Sequence, residues 1–336
     1  MKVAVLAPIA WRTPPRHYGP WEQMASNVTE GLTARGINVT LFATAEARTQ
    51  AKLESVVPRG YEEDSNQDAK VSECLHISHL MERAGQFDII HNHFDFLPLT
   101  YSRLIATPML TTIHGFSSPR IIPVFQKYNV TSHYVSISDS DRSASLNYLA
   151  TVYNGLKTEE FTFCKKAGNY LLFLGRIHPD KGTAAAIQIA LLSNCRLLIA
   201  GIIQDSHYFE EKVKPYLSEQ IVFLGEANPK QRNELLGNAH ALLHPIDFEE
   251  PFGLSVAEAM LCGTPVIAFN RGAMPELIRH QETGFLVSNI AEAVSAVNQV
   301  RFIYRQQCRK WALSRFSRER MVSDYLVQYR RILDGC

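Results

Sequence analysis

No run of apolar residues in this 336-residue chain approaches the length of a membrane span, and the opening Met1-Lys2-Val3-Ala4-Val5-Leu6 leads to Pro8, Trp11 and Arg12 without a cleavage pattern. Neither a leader peptide nor a spanning helix is expected, and a cytoplasmic location is. Charge of one sign is also lacking. The 34 basic and 33 acidic side chains leave a net charge of +1, which gives no reason to expect a nucleic acid partner. Paired cysteines are missing too. Cys74, Cys164, Cys195, Cys262, Cys308 and Cys336 are scattered without a C-x-x-C, so reduced, buried thiols are expected. His91-Asn92-His93 is not expected to bind metal, since the two histidines flank a strand end and are expected on opposite faces. The first strand-to-helix turn has no G-x-G-x-x-G, which argues against a dinucleotide oxidoreductase.

The length suits two domains, each able to bury its own core. Short apolar runs at 2–8, 39–43, 88–91, 109–113 and 134–138, then at 170–174, 195–201, 221–225, 239–243, 265–269 and 283–287, read as buried strands. Helical patterns lie between many of them, for example over 21–35 and 254–261, so the class is α/β with two doubly wound parallel sheets. Asn154-Gly155 marks the boundary. The polar stretch 49–70 is expected to be a mobile surface loop or an acceptor-side insertion, and Ser138 to Asp141 a helix cap. From Ala291 onward the chain is expected to be helical. Its basic residues are assigned to a packed helix in preference to a surface for anionic lipid.

The densest chemistry lies between His244 and Gly263. Pro251-Phe252-Gly253 is loop, because proline forbids a continuing helix and glycine loosens the backbone, whereas Leu254 to Leu261 is a good helix former stopped by Cys262-Gly263. Glu250 stands just before this helix and Glu258 about one turn inside it. Both are therefore expected to face a ligand beside the unpaired amides near Gly253 and Leu254, which attract anions. Helix amides for phosphate and carboxylates for hydroxyls suit a phosphorylated sugar or nucleotide. Arg176 and Lys181, on one loop after a strand, can neutralise a diphosphate leaving group. Singly, such residues are more often solvated surface charges. Asn92-His93-Phe94-Asp95-Phe96 mixes polar and aromatic side chains in a manner suited to an acceptor wall, and the proline-punctuated loop from Trp11 to Pro20 lies where open α/β sheets bind ligands.

The string E-P-F-G-L-S-V-A-E-A-M-L-C-G-T-P-V-I-A, from Glu250 to Ala268, resembles the E-x7-E signature of the retaining, family 4-type nucleotide-sugar glycosyltransferases, the glycosyl transferases group 1. Gly175 to Gly182 matches that family's G-R-x-x-x-x-K-G, and residues 270–278 resemble its G-G-x-P-E-L-I. Gly19-Pro20-Trp21-Glu22 resembles its G-G-x-E loop with one glycine replaced by a proline that has no amide to offer. His114 matches its histidine beside the transferred sugar and the diphosphate.

The resemblance implies the GT-B fold, two Rossmann-like domains facing across a cleft. Residues 1–155, joined by the helix at about 318–336, form the acceptor side, and 156–317 the donor domain. It implies a hexose moved with retention from a nucleoside diphosphate sugar to a sugar, polyol or glycan hydroxyl, with no metal and no cofactor. UDP-sugar is favoured over GDP- or ADP-sugar on family frequency. By this resemblance Gly19, Arg176, Lys181, Glu250, Phe252, Gly253, Leu254 and Glu258 hold the donor, with His114, Glu250, Arg176 and Lys181 serving catalysis. Trp21, His93 and Asp95 are assigned to the acceptor side. A non-catalytic nucleotide-sugar-binding subunit and a nucleotide-sugar hydrolase or epimerase stay open as alternatives.

Overall fold

The computed structural model describes residues 1–116 and 118–335, so Cys336 lies outside the described residues. The chain divides into two units, one built from Met1–Gly155 with the stretch from Arg318 onward, the other from Leu156–Ser317.

In the first unit, β1 (Lys2–Leu6), β2 (Asn38–Phe42), β3 (Lys52–Glu54), β4 (Ile89–Asn92), β5 (Met109–Ile113), β6 (His133–Ser136) and β7 (Tyr148–Thr151) form one sheet in the order β3-β2-β1-β4-β5-β6-β7. Every neighbouring pair is parallel, with Val3 opposite both Val39 and Ile89 at the centre. Helices α1 (Pro20–Thr33), α2 (Ala69–Met81) and α3 (Ile122–Lys127) connect strands. The strands are apolar on both faces because both are covered. Val3 and Val5 of β1 pack with Ala25, Val28 and Leu32 of α1, whereas Ala4 and Leu6 belong to the cluster of Ile77, Leu80 and Met81 of α2.

The second unit holds β8 (Tyr170–Leu174), β9 (Arg196–Ala200), β10 (Ile221–Phe223), β11 (Ala241–His244), β12 (Val266–Phe269) and β13 (Gly284–Val287) in the order β10-β9-β8-β11-β12-β13, again all parallel. Its helices are α4 (Thr183–Leu192), α5 (Ser206–Tyr208), α6 (Pro229–Asn238), α7 (Leu254–Leu261), α8 (Met274–Leu277), α9 (Ile290–Gln299) and α10 (Arg305–Phe316). The chain then rejoins the first unit through α11 (Arg318–Leu333), whose Met321, Val322, Tyr325 and Tyr329 enter the same core as β1 and α1. Burying each of these side chains stabilises that unit by about 1.5–3 kcal/mol.

The class and the all-parallel sheets agree with the sequence reading, but four local expectations need correction. Residues 49–70 are not a structureless loop: Lys52–Glu54 pairs with β2, and Tyr61–Glu63 forms a 3-10 turn. No helix follows Ser138, whose hydroxyl instead receives the amide of Asp141 in a turn before β7. His91 and His93 share a face, with ring centroids 4.1 Å apart, because residues two apart in a strand point the same way. Cys74 is exposed on α2, while Cys262 and Cys308 are buried. No helix among the described residues is long and apolar enough to cross a membrane.

Candidate active site

Strand order reverses beside β1 in one sheet and beside β8 in the other, so successive crossovers leave on opposite faces and open a crevice at the carboxyl ends of the central strands. In the second unit that crevice lies between the loops following β8 and β11. The first of these carries Arg176 and Lys181, the second Glu250.

These loops dock backbone to backbone. The amide of Asp247 donates to the carbonyl of Asp180 at 2.8 Å. Gly182, at φ 74°, approaches so closely that a Cβ there would lie 1.8 Å from the carbonyl oxygen of Pro245. Only glycine fits both the left-handed backbone and the contact. Lys181, next in the chain, is thereby brought to Glu250, with Nζ 2.5 Å from Oε2 and the side chains 16% and 13% exposed. The ammonium also lies 4.5 Å from the ring centroid of Phe248, a cation–π contact. His244, at the end of β11, sits 3.8 Å from the same carboxylate oxygen. Burial holds its imidazole down at about 4, despite the opposing pull of Glu250, so it is neutral at pH 7. Arg176 hydrogen-bonds Gln204 on the loop after β9.

Gly253 caps α7 in the left-handed region, at φ 92°, and a Cβ there would meet Met274 Cε at 2.7 Å. The first intrahelical bond runs from Val256 N to Gly253 O, so the amides of Leu254 and Ser255 precede the helix's own hydrogen bonding and are placed to hold an anion. Phe252 contributes differently from expectation. Its side chain is buried in an edge-to-face contact with Phe316, 5.7 Å between centroids, so only its backbone is available to a ligand.

The two glutamates have separate partners. Glu258 is almost fully buried and pairs with Arg232 of α6 at 3.4 Å, while Glu250 meets Lys181. Burial pushes the Glu258 carboxyl up and Arg232 pulls it back. A carboxylate enclosed in this way is suited to accepting hydrogen bonds from hydroxyls.

In the first unit, the crevice residues are Gly19, Trp21, His93, Asp95 and His114. Gly19 caps α1 and accepts the amide of Gln23 at 2.9 Å. Pro20 occupies the first helical position, where a missing N–H costs no intrahelical bond. Trp21 stacks on His114, 5.7 Å between centroids and 25° between planes, and His114 Nε2 lies 2.9 Å from His93 Nδ1. Burial holds His114 down to about 3, so it is a neutral imidazole. Asp95 has a positive φ of 78°, and burial raises its carboxyl to about 7.

Several residues here escaped the sequence reading. Glu22 is buried, receives the amide of Trp11 at 3.2 Å and is pushed up to about 7 by burial. Its place in G-P-W-E was the available signal. Arg232, His244 and Phe248 become visible only when separate segments meet. Among the described residues, no group of three or more His, Cys, Asp or Glu is placed to hold a metal ion.

Comparison with known proteins matches residues 158–319 to the family described as glycosyl transferases group 1. An uncharacterised 41.2 kDa protein from the cps region of Klebsiella pneumoniae is 29% identical over 288 residues, covering 73% of this chain and 79% of the relative. A phosphatidyl-myo-inositol mannosyltransferase of Mycobacterium leprae is 24% identical, with 85% of this chain and 83% of the relative covered. Among solved structures, Anabaena HepE in complex with UDP and glucose superposes with a TM-score of 0.76 at 18% identity, covering 100% of both chains.

Proposed function

We propose that this chain, whose residues 158–319 match the glycosyl transferases group 1 family and whose fold is GT-B, is a glycosyltransferase that moves a hexose from a nucleoside diphosphate sugar to an acceptor hydroxyl with retention of configuration. The observation that carries this reading is the Lys181–Glu250 pair, held beside the amino end of α7 by the docked loops. Lys181, Arg176 and the amides at Leu254 and Ser255 neutralise the diphosphate as negative charge grows on the leaving oxygen. Because these donors are fixed before substrate arrives, they stabilise departure without reorganisation and without a metal. Glu258 accepts hydrogen bonds from the ribose hydroxyls, and Glu250 contacts the transferred sugar. His114, neutral, donates to that sugar rather than accepting its proton. The departing phosphate oxygen takes the acceptor proton on the same face. Trp21 and Asp95 belong to the acceptor side. UDP is the favoured nucleotide, in line with the UDP carried by the Anabaena neighbour.

The test is a thermal-shift series with UDP, GDP and ADP, with and without EDTA, on the wild type, Lys181→Ala and Glu258→Gln. A ligand at 100 times its Kd adds about 2.7 kcal/mol to native stability, which reads as a rise of several degrees. One nucleotide, UDP first, is expected to raise the wild-type Tm regardless of EDTA and to lose most of its effect in both variants. No shift from any of the three overturns the donor assignment.

A further inference from the structure

Four side chains make a column through the first unit. Trp21 stacks on His114, and His93 meets His114 edge to edge, with Nδ1 2.9 Å from Nε2, ring centroids 5.1 Å apart and 29° between planes. His91 packs against His93, with 4.1 Å between centroids and 42° between planes. The far end is anchored, since His91 Nδ1 lies 2.6 Å from the Tyr329 hydroxyl and Nε2 lies 2.8 Å from Thr112 Oγ1, which in turn meets the Tyr325 hydroxyl at 2.8 Å. His93 is fully buried. Its Nδ1 meets His114 Nε2 at 2.9 Å, and its Nε2 has no partner.

That unpartnered nitrogen decides the protons. Two neutral imidazoles sharing one hydrogen bond have two arrangements. If His114 Nε2–H donates, His93 must carry its own proton on Nε2, leaving a buried N–H with no acceptor. If His93 Nδ1–H donates, the orphan atom is only a bare lone pair. Orphaned buried N–H groups are the rarer and costlier defect. Burial and the neighbouring rings keep all three histidines uncharged, so no doubly protonated form intervenes.

We propose that His93 is the positioning residue for His114: its Nδ1–H donates to His114 Nε2, holds the edge of the ring while Trp21 stacks on its face, and fixes His114 as the Nδ1–H tautomer. His114 then offers a ligand one N–H donor and no basic nitrogen. His93, which the sequence assigned to the acceptor wall, acts through His114 and not on the acceptor. The catalytic meaning of this lock rests on the proposed role of His114 beside the transferred sugar. The tautomer itself does not.

The experiment is long-range proton–nitrogen NMR on the full chain labelled with 15N-histidine at pH 7, without ligand, with His114 assigned through His114→Gln. The expected wild-type spectrum shows His114 with a proton on Nδ1 and an unprotonated, far-downfield Nε2. His93→Leu is expected to convert this to a mixture or to the opposite tautomer. His93→Asn, whose amide replaces the donor, is expected to keep it. In turnover of the nucleotide sugar, His93→Leu is expected to lose kcat by roughly 10- to 100-fold with little change in donor KM, and His93→Asn to recover most of it. A wild-type His114 protonated on Nε2, or a tautomer unmoved by His93→Leu, overturns the proposal. If His93→Leu does not fold, the wild-type and His93→Asn spectra decide. A wild type with the expected tautomer but no turnover of any nucleotide sugar counts against the functional reading alone.

Discussion

Replacing Glu250 with glutamine tests whether Lys181 waits for a diphosphate. In the ligand-free protein the lysine is neutralised by Glu250 at 2.5 Å, with both side chains mostly shielded from solvent. Two unit charges 4 Å apart interact by about 4 kcal/mol at an effective dielectric of 20. Breaking a fully buried pair costs about 3–5 kcal/mol and an exposed one about 0–1. Exposures of 16% and 13% place this pair between those limits, at about 2 kcal/mol. Glu250→Gln is therefore expected to lower the Tm of the free protein by roughly 4–8 °C. A nucleoside diphosphate restores the missing negative charge, so the same 2 kcal/mol returns as binding energy and tightens Kd by up to about 30-fold. Turnover falls nonetheless, because the sugar loses its contact with the carboxylate. Lys181→Met is expected to weaken nucleotide binding, and the double variant to fall between the two. Isothermal titration calorimetry on the four proteins gives the coupling directly. A folded Glu250→Gln that binds the diphosphate no more tightly than the wild type refutes the argument.

Two further outcomes follow from buried polar groups. His76 is held at about 4, His91 and His114 at about 3 and His93 well below its ordinary value, all by burial, while burial raises Glu22 and Asp95 to about 7. Between about pH 4.5 and 6.5 the unfolded chain binds up to four extra protons on the histidines and the native chain up to two on the carboxyls. The net difference of about two makes stability fall with acidification by at most about 2–3 kcal/mol per pH unit. Urea unfolding of the first unit, followed through that window, checks this, and a flat profile or one rising toward acid contradicts it. In the second unit, buried Arg305 donates to the carbonyls of Cys164, Ala239 and Gly237 and to Thr264 Oγ1, at 2.6–3.0 Å. Arg305→Leu orphans these acceptors at a cost of about 3–6 kcal/mol, expected as a Tm drop of roughly 10–20 °C. A drop below about 3 °C means the acceptors find other partners.

The architecture was legible because burial writes itself into composition. Central strands covered on both faces read as continuous apolar runs, and the 254–261 helix is announced by the proline and glycine before it and the Cys262-Gly263 stop after it. What failed was short or depended on partners. Lys52–Glu54 is a three-residue edge strand with one apolar side chain, and Tyr148–Thr151 is only half-buried, so neither carries a run long enough to detect. The Ser138 signal was real hydrogen-bonding chemistry satisfied in a turn instead of a helix. The site was legible as a set of residue types on the right loops. The pairing of Glu258 with Arg232, the contact of His244 with Glu250 and the histidine column were not, because each joins segments that only the folded sheet brings together.

The return of α11 to the first unit also sets a schedule for synthesis. The second unit is one continuous stretch, Leu156–Ser317, and has its whole sequence available before α11 is made. The first unit begins earlier yet completes later, because Met321, Val322, Tyr325 and Tyr329 belong to its core. At translation rates of 5–20 residues per second, the 162 residues between Gly155 and Arg318 impose a wait on the order of 10–30 s. During that interval the face of β1 and α1 destined for α11 lacks its cover, and His91 lacks the Tyr329 hydroxyl. Ribosome-bound chains released before Arg318 are therefore expected to be the protease-sensitive ones in their amino-terminal half, although every residue of its sheet has already been translated.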